Sequence, residues 1–500
     1  MFLLVVLVLC SCTLFVASSS AIDVLFVLHD AGESYFSQPT MQDIEGVFTY
    51  AVLTLGEPAN TIFDNYTQRV TLQDLGIDTA NVTDGSDRGV LLDNSQVEMI
   101  LKRFSPEVVV EGMVYAMQAQ IGEAFKNKKM EKDIPIVSIY DSFSLFTKDS
   151  LAYEYFIFPT TTTTTTSTAS SKITECFFCA QEQTDELAKM IDTADYTKSI
   201  DSIVGTTTGS PTLATWKDVA SNITMLKQVR EQLIHQYQYH NIINKDNIIN
   251  KDDVINKELS NDNSNDNDND NDNDNNNNDD DYDYEINLNS VVLVSYAGGY
   301  GTDGAYNNSL IAYCKTATAM SMSMSLQSGS EKYIFTFNPH PGYDPSYEEG
   351  IFKEYSCLSH IRVVTADMDL TTAQVFSASN VTLSLCSTTG GQSLAVGVPH
   401  AYVIGSADPF NACSDVFTQV QEQGDNHNID IINTGNESRQ QRTEQTSLIP
   451  NTLDAEELRH VITNTFKAEG YTVKPDVLRK AGVPLDATNR ISRRLGELLR

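Results

Sequence analysis

The sequence predicts an α/β chain of two Rossmann-like, doubly wound parallel-sheet domains interrupted by disordered low-complexity insertions. Three observations carry this. The 500 residues exceed one ordinary domain. Short apolar runs alternate with amphipathic helical patterns over 22–158, and the same alternation returns over 287–422. Between the two halves the chain loses its apolar residues.

The first 21 residues, MFLLVVLVLCSCTLFVASSSA, form an apolar run that ends in small residues, as a secretory signal peptide does. The absence of Lys and Arg ahead of the run keeps an uncleaved anchor as the alternative, the one way this chain would meet a membrane. Six Asn-x-Ser/Thr sequons, at Asn65, Asn81, Asn222, Asn307, Asn380 and Asn436, fit a secreted or lumenal glycoprotein.

The N-terminal domain, 22–158, opens with the strand DVLFVL, whose continuous apolar character suits a sheet buried on both faces. A helix is expected from Thr40 to Leu55, then a strand EVVVEG, a helix over 114–128 and a strand IPIVSIY. Consecutive parallel strands need right-handed crossovers, which place helices on both faces. The threonine-rich stretch 159–171 reads as a solvated loop, and 172–245 as a helical connecting region. The Asn/Asp-rich insertion 246–286 has too little apolar surface to offset its chain entropy.

The second domain, 287–422, runs strand, glycine loop and helix in NSVVLVSYAGGYGTDGAYNNSLIAYCKTA, followed by YIFTFNPHPG, HIRVVT, a helix over 370–378, NVTLSLCS and a strand over 398–404. A polar loop over 423–450 precedes C-terminal helices in 451–500, the first with Asp454, Glu456 and Glu457 at its start, where acidic groups complement the helix dipole.

The formal net charge is −34, and residues 261–285 supply 11 acidic groups and no basic one, so the remainder still carries −23. Such a chain repels a phosphate backbone, and no nucleic-acid partner is expected. Two of the eight cysteines lie in the leader, and the other six in so long a chain do not make a disulfide scaffold. Cys176 and Cys179 form a single C-x-x-C without a second pair, which points to a structural disulfide or buried thiols, and no metal site is expected. Cys386 and His400 could suggest a nucleophile and its base, but both also fit strand packing, and no orienting third group is visible.

Two glycine-bearing turns are candidate phosphate cradles. Gly298, Gly299 and Gly301 follow the first strand of the second domain; Thr388, Thr389, Gly390, Gly391 and Gln392 open a short helix. A missing Cβ lets an anion approach backbone N–H groups, although glycine also serves turns that need only positive φ. His340 ends a strand between Pro339 and Pro341, where it could bind phosphate or serve packing. In the first domain His29, Asp30 and Glu33 stand at the exit of the first strand, and Glu111 and Asp141 at later strand ends, the edge at which open α/β sheets place ligands. Capping of a helix by Asp30 or Glu33 is the competing role.

The segments VSYAGGYGTDGAYNNSLI and ADMDLTTAQVFSASNVTLSLCSTTGGQSLAVGVPHAYVI make residues 290–405 resemble the nucleotide-sugar domain of the two-domain GT-B glycosyltransferases and the related UDP-N-acetylglucosamine 2-epimerases. The resemblance implies a nucleotide-sugar donor on the second domain, a hydroxyl acceptor near His29, Asp30 or Glu111 as base, and neither a bound metal nor another cofactor. Two departures qualify what it implies. Gln392 and Ser393 stand where those families carry an acidic ribose contact, a role Glu348 or Gln392 would have to take. YAGGYGTDGAY lacks the epimerases' catalytic histidine. A non-catalytic carbohydrate- or ligand-binding protein on the same fold is therefore the alternative function.

Overall fold

The computed structural model describes residues 20–78, 89–113, 115–128, 133–145, 174–193, 203–236, 290–299, 304–323, 332–340, 344–406, 413, 415–418, 448–467 and 473–500. The threonine-rich stretch, the Asn/Asp-rich insertion, residues 1–19 of the leader, most of the polar loop, Asn81, Gly301 and Asn436 lie outside the described residues.

The first unit is built on a seven-stranded sheet with every neighbouring pair parallel, in the order β3-β2-β1-β4-β5-β6-β7. Its strands are β1 (Ser20–Leu28), β2 (Tyr50–Thr54), β3 (Arg69–Thr71), β4 (Phe104–Gly112), β5 (Ile136–Tyr140), β6 (Glu175–Phe178) and β7 (Val204–Thr207). Val24, Leu25, Phe26, Val27 and Leu28 are all at most 1% exposed, because helices cover both faces of this central strand. Ser20 and Ala21, read as the end of the leader, pair with Phe104 and Ser105 within the sheet.

Helix α1 (Ala31–Ile44) starts nine residues before the expected helix, and Tyr50–Thr54 is strand rather than helix. Its start is set by a capping box: the Asp30 side chain accepts from the Glu33 N–H while the Glu33 carboxylate accepts from the Asp30 N–H. Pro39 inside the helix disguises it, since proline removes one helical donor. Helices α2 (Glu57–Ile62), α3 (Asn94–Arg103) and α4 (Ala116–Asn127) complete the crossovers up to β5.

The expected helical connecting region divides in two. Residues 175–178 and 204–207 are β6 and β7, joined by α5 (Gln181–Thr193), and extend the first sheet. Four-residue strands are too short to show a period, so the helical pattern of α5 dominates the sequence there. Helix α6 (Thr212–Ser221) and a helix over 223–236 belong to the second unit: Trp216, Val229, Leu233 and Ile234 pack on Val291, Leu293 and Phe376.

The second unit holds a six-stranded parallel sheet in the order β10-β9-β8-β11-β12-β13. Its strands are β8 (Val291–Ala297), β9 (Lys332–Asn338), β10 (Ile361–Val363), β11 (Val381–Ser384), β12 (His400–Val403) and β13 (Asn451–Thr452), with α7 (Gly304–Ser323), α8 (Ser346–Glu354), α9 (Thr372–Ser377) and α10 (Thr389–Ala395) between them. Asn451 and Thr452, expected at the head of the C-terminal helices, pair with Tyr402 and Val403 as the edge strand. The disulfide Cys314–Cys357 ties α7 to the turn after α8. A second, Cys386–Cys413, closes the end of β11. Cys176 and Cys179 are free thiols, both fully buried.

After α11 (Ala455–His460) and α12 (Val477–Lys480), the chain returns to the first unit as α13 (Ala487–Leu498). Ile491 and Leu495 join Val24, Phe26, Met41 and Ile44 in one core. Arg494 grips Glu175 of β6 through Nε at 2.9 and 2.8 Å. Among the described residues, no helix is long and apolar enough to cross a membrane.

Candidate functional site between the carboxyl edges of the two sheets

Parallel strands end together, so the residues just after β1, β4 and β5 converge on one edge of the first sheet. His29 follows β1 and stacks on Tyr115, with ring centroids 3.7 Å apart. Glu33, in the first turn of α1, is 0% exposed. It accepts from the backbone N–H groups of His29 and Asp30 and from Gln118 Nε2 at 2.7 Å, while its other oxygen is buried without a hydrogen-bond partner. Burial, and then the neighbouring charges of Asp30 and Asp141, hold its carboxyl well above the usual carboxylate range.

Glycine makes this crowding possible. A Cβ at Gly112 would overlap the Glu33 carboxyl, one at Gly32 would overlap Asp141, and one at Gly56 would stand 2.6 Å from the His29 ring. Three glycines, in the first turn of α1, at the start of α2 and at the end of β4, thus leave their side-chain space to three titratable groups. Gln118 ties the arrangement together, since its amide donates to Glu33 and Val27 and its carbonyl oxygen accepts from the Tyr115 N–H.

Glu111 is not part of this edge. It faces α4, 1% exposed, with Ser138 Oγ donating at 3.1 Å and Gly122 vacating space for its second oxygen. Burial raises its pKa well above the ordinary value. Strand alternation explains the separation: Gly112 lies toward Glu33, and its neighbour Glu111 points to the opposite face.

On the second sheet, Gly298 and Gly299 follow β8. The Gly298 N–H donates to Asn338 O at 2.8 Å, and the Gly299 N–H to Tyr306 Oη at 3.0 Å. Tyr306 in turn donates to Glu348 at 2.8 Å. A Cβ at Gly298 would come 2.9 Å from the backbone nitrogen of His340, so this glycine serves the close approach of the β8 and β9 ends. The same contact brings His340 and the glycine loop together.

The 388–392 turn sits against aromatic side chains. A Cβ at Gly390 would lie 2.7 Å from Tyr402 Oη, and one at Gly391 would lie 2.5 Å from Phe417 and 2.7 Å from Phe143 of the first unit. The N–H groups of Thr389 and Gly390 are taken by Ser387, and Gln392 reaches Thr212 Oγ1 at 2.9 Å. These glycines are therefore spaces for packing, Gly390 within the second unit and Gly391 across the two. His400, the histidine weighed beside Cys386, is fully buried between Thr382 and Ser384, and burial pushes it down to about 3. Cys386 itself is bonded to Cys413, so the pair is not a nucleophile and its base.

Around this turn the units interlock. Phe143 meets Phe417 with centroids 5.0 Å apart, and Ser144 bridges to Asp415. Asp415 accepts from Tyr402 Oη and from the N–H groups of Phe417 and Thr418, and burial raises its carboxyl. Phe143 and Gln118 leave no local mark in the sequence, because they act through Phe417 in the other unit and Glu33, 85 residues away; Tyr402 acts through Asp415, 13 residues on, across a stretch with no regular period.

No protein-family profile and no curated protein matches the chain. Solved structures do. MnaA of S. aureus in complex with UDP superposes with a TM-score of 0.50 at 8% identity, covering 95% of this chain and 97% of that one. UDP-GlcNAc 2-epimerase from Neisseria meningitidis bound to UDP-GlcNAc gives 0.46 at 11%, covering 95% and 99%. The wall teichoic acid polymerase TagF gives 0.44 at 8%, covering 95% and 88%. Two parallel sheets flanked by helices, in this order along the described residues, give the protein a GT-B-like fold of two Rossmann-like units.

Proposed function

We propose that the protein is a glycosyltransferase-like molecule that takes a nucleoside-diphosphate sugar at the carboxyl edge of the second sheet and a hydroxyl acceptor at that of the first. The observation that carries this reading is the assembly of His29, Asp30, Glu33 and Asp141 at one sheet edge, each close-packed and three of them housed by glycines. A perturbed carboxyl at a strand edge, with a histidine and two further carboxyls beside it, suits proton transfer. In the proposed step the acceptor oxygen bonds to the anomeric carbon, the bond from that carbon to the diphosphate breaks, and the acceptor proton passes to the Glu33 carboxylate. Burial raises the basicity of that carboxylate once it is ionised, so the rising limb of the pH profile lies above the ordinary carboxylate range. His340, beside the glycine loop, is the proposed donor-side contact, with Glu348 on the ribose; the Gly298 and Gly299 N–H groups are already taken by Asn338 and Tyr306.

A non-catalytic carbohydrate- or ligand-binding role is the second reading. It draws on the second-sheet edge, where Tyr402, Phe417 and Phe143 already fill the space beside Gly390 and Gly391. Calorimetric titration with UDP and a panel of UDP-sugars, followed by an assay for sugar release, separates the two. Binding with sugar release that Glu33→Gln abolishes supports the transferase; binding without release supports the second reading; no heat with any nucleotide sinks the donor proposal.

The same proposal routes the chain through the secretory lumen, which its two disulfides suit. Asn65, Asn222 and Asn380 are exposed and stand as glycan acceptors, whereas Asn307 is half-buried in α7. Peptide mapping before and after glycosidase treatment of protein made in a secreting cell checks this; three unmodified peptides would rule it out.

A further inference from the structure

The two disulfides differ in what they hold. Cys314 and Cys357 are at most 1% exposed and lie within the core of the second unit. Cys386 and Cys413 instead line a cavity of about 10 Å³ together with Ser142, Phe143 and Ser144 of the first unit. That space is about one water across. Cys386 is the exposed member of the pair, whereas Cys413 is 5% exposed.

We propose that Cys386–Cys413 is a redox-sensitive latch on the contact between the two units. It fastens residues 413 and 415–418 to the end of β11, and 415–417 carry the contact. The Val416 N–H donates to Phe143 O at 3.1 Å, Ser144 bridges to Asp415, and Phe417 packs on Phe143 and beside Gly391. On the other side Gln183 holds the carbonyls of Ser142 and Ser144 at 2.7 Å each, so the first-unit half is anchored independently. The bond therefore fixes the second-unit half alone.

The reaction needs a dithiol. One of its thiolates attacks a sulfur of the pair, the Cys386–Cys413 bond breaks, and a mixed disulfide forms. The second thiolate of the reductant displaces the protein sulfur and leaves as a cyclic disulfide, so the protein gains two electrons and two protons. Nothing here depends on the proposed sugar chemistry.

Hydrogen–deuterium exchange on the full chain, with and without dithiothreitol, tests the latch, and alkylation with mass analysis reports which cysteines are reduced. On reduction of Cys386 and Cys413, amide exchange in peptides spanning 142–145 and 415–418 should rise by about tenfold, while β8 and β9 keep their protection. The double variant Cys386→Ser/Cys413→Ser should exchange fast there with or without the reductant. The proposal fails if the bond resists reduction in the folded protein, if it is reduced and these peptides exchange as before, or if protection falls equally throughout both units. Should the variant not fold, reduction of the unaltered chain gives the same three readings.

Discussion

The carboxyl edges of the two sheets use glycine for opposite ends. On the first, Gly32, Gly56 and Gly112 make room for Asp141, His29 and Glu33; on the second, Gly390 and Gly391 make room for Tyr402, Phe417 and Phe143. One edge is a crowd of titratable groups held against their preference for water, and the other is a joint built on aromatic rings around one buried carboxyl. A glycine pair before a helix thus does not by itself mark an anion site: what occupies the missing side chain's volume decides its role.

Double-mutant cycles break or sharpen this contrast. The largest effect is expected from Gly112→Ala, whose methyl displaces a buried carboxyl: about 4 kcal/mol of stability, from overpacking together with a disrupted buried polar network. Glu33→Ala should recover much of it, and a purely additive cycle in chemical denaturation would show that the two do not share space. Gly391→Ala comes next, at about 2–3 kcal/mol. Here Phe143→Leu, not a polar change, should be the partial rescue, and rescue by neither aromatic partner would remove the joint from the account.

Tyr402→Phe takes one donor from the buried Asp415 carboxylate and should cost about 2 kcal/mol, read from the denaturation midpoint at unchanged m-value. The smallest effect is a change of slope with pH. Burial raises the Glu111 pKa above its unfolded value, so its contribution to stability is full below that value and is lost as pH rises through the folded one. Relative to Glu111→Gln, the unaltered chain should lose stability from about pH 4 upward; parallel pH–stability curves would mean that Glu111 is solvated.

Much of the architecture was legible. Continuous apolar runs at β1, β4, β5 and β8 mark strands buried on both faces, and their alternation with helices implies two parallel sheets. What escaped was short or split. β6 and β7 carry four residues each, and α1 hides behind Pro39. For the candidate site, the placement of His29, Asp30 and Glu33 at the first strand's exit was readable, and the Asp30 and Glu33 capping box fixes it locally. The roles of Gly390, Gly391 and Glu111 were not, since which face a strand residue takes, and which distant ring fills a glycine's space, are settled only when the two sheets dock.

The route of the chain has a bearing on its synthesis. The core that joins Val24, Phe26 and Ile44 includes Ile491 and Leu495, and Glu175 of the first sheet takes its guanidinium from Arg494. A unit begun at residue 20 is thus closed by a helix more than 450 residues later. While the second sheet is being made, the first must wait on the ribosome with part of one apolar face uncovered and one buried carboxylate lacking its guanidinium, a state that invites chaperone binding.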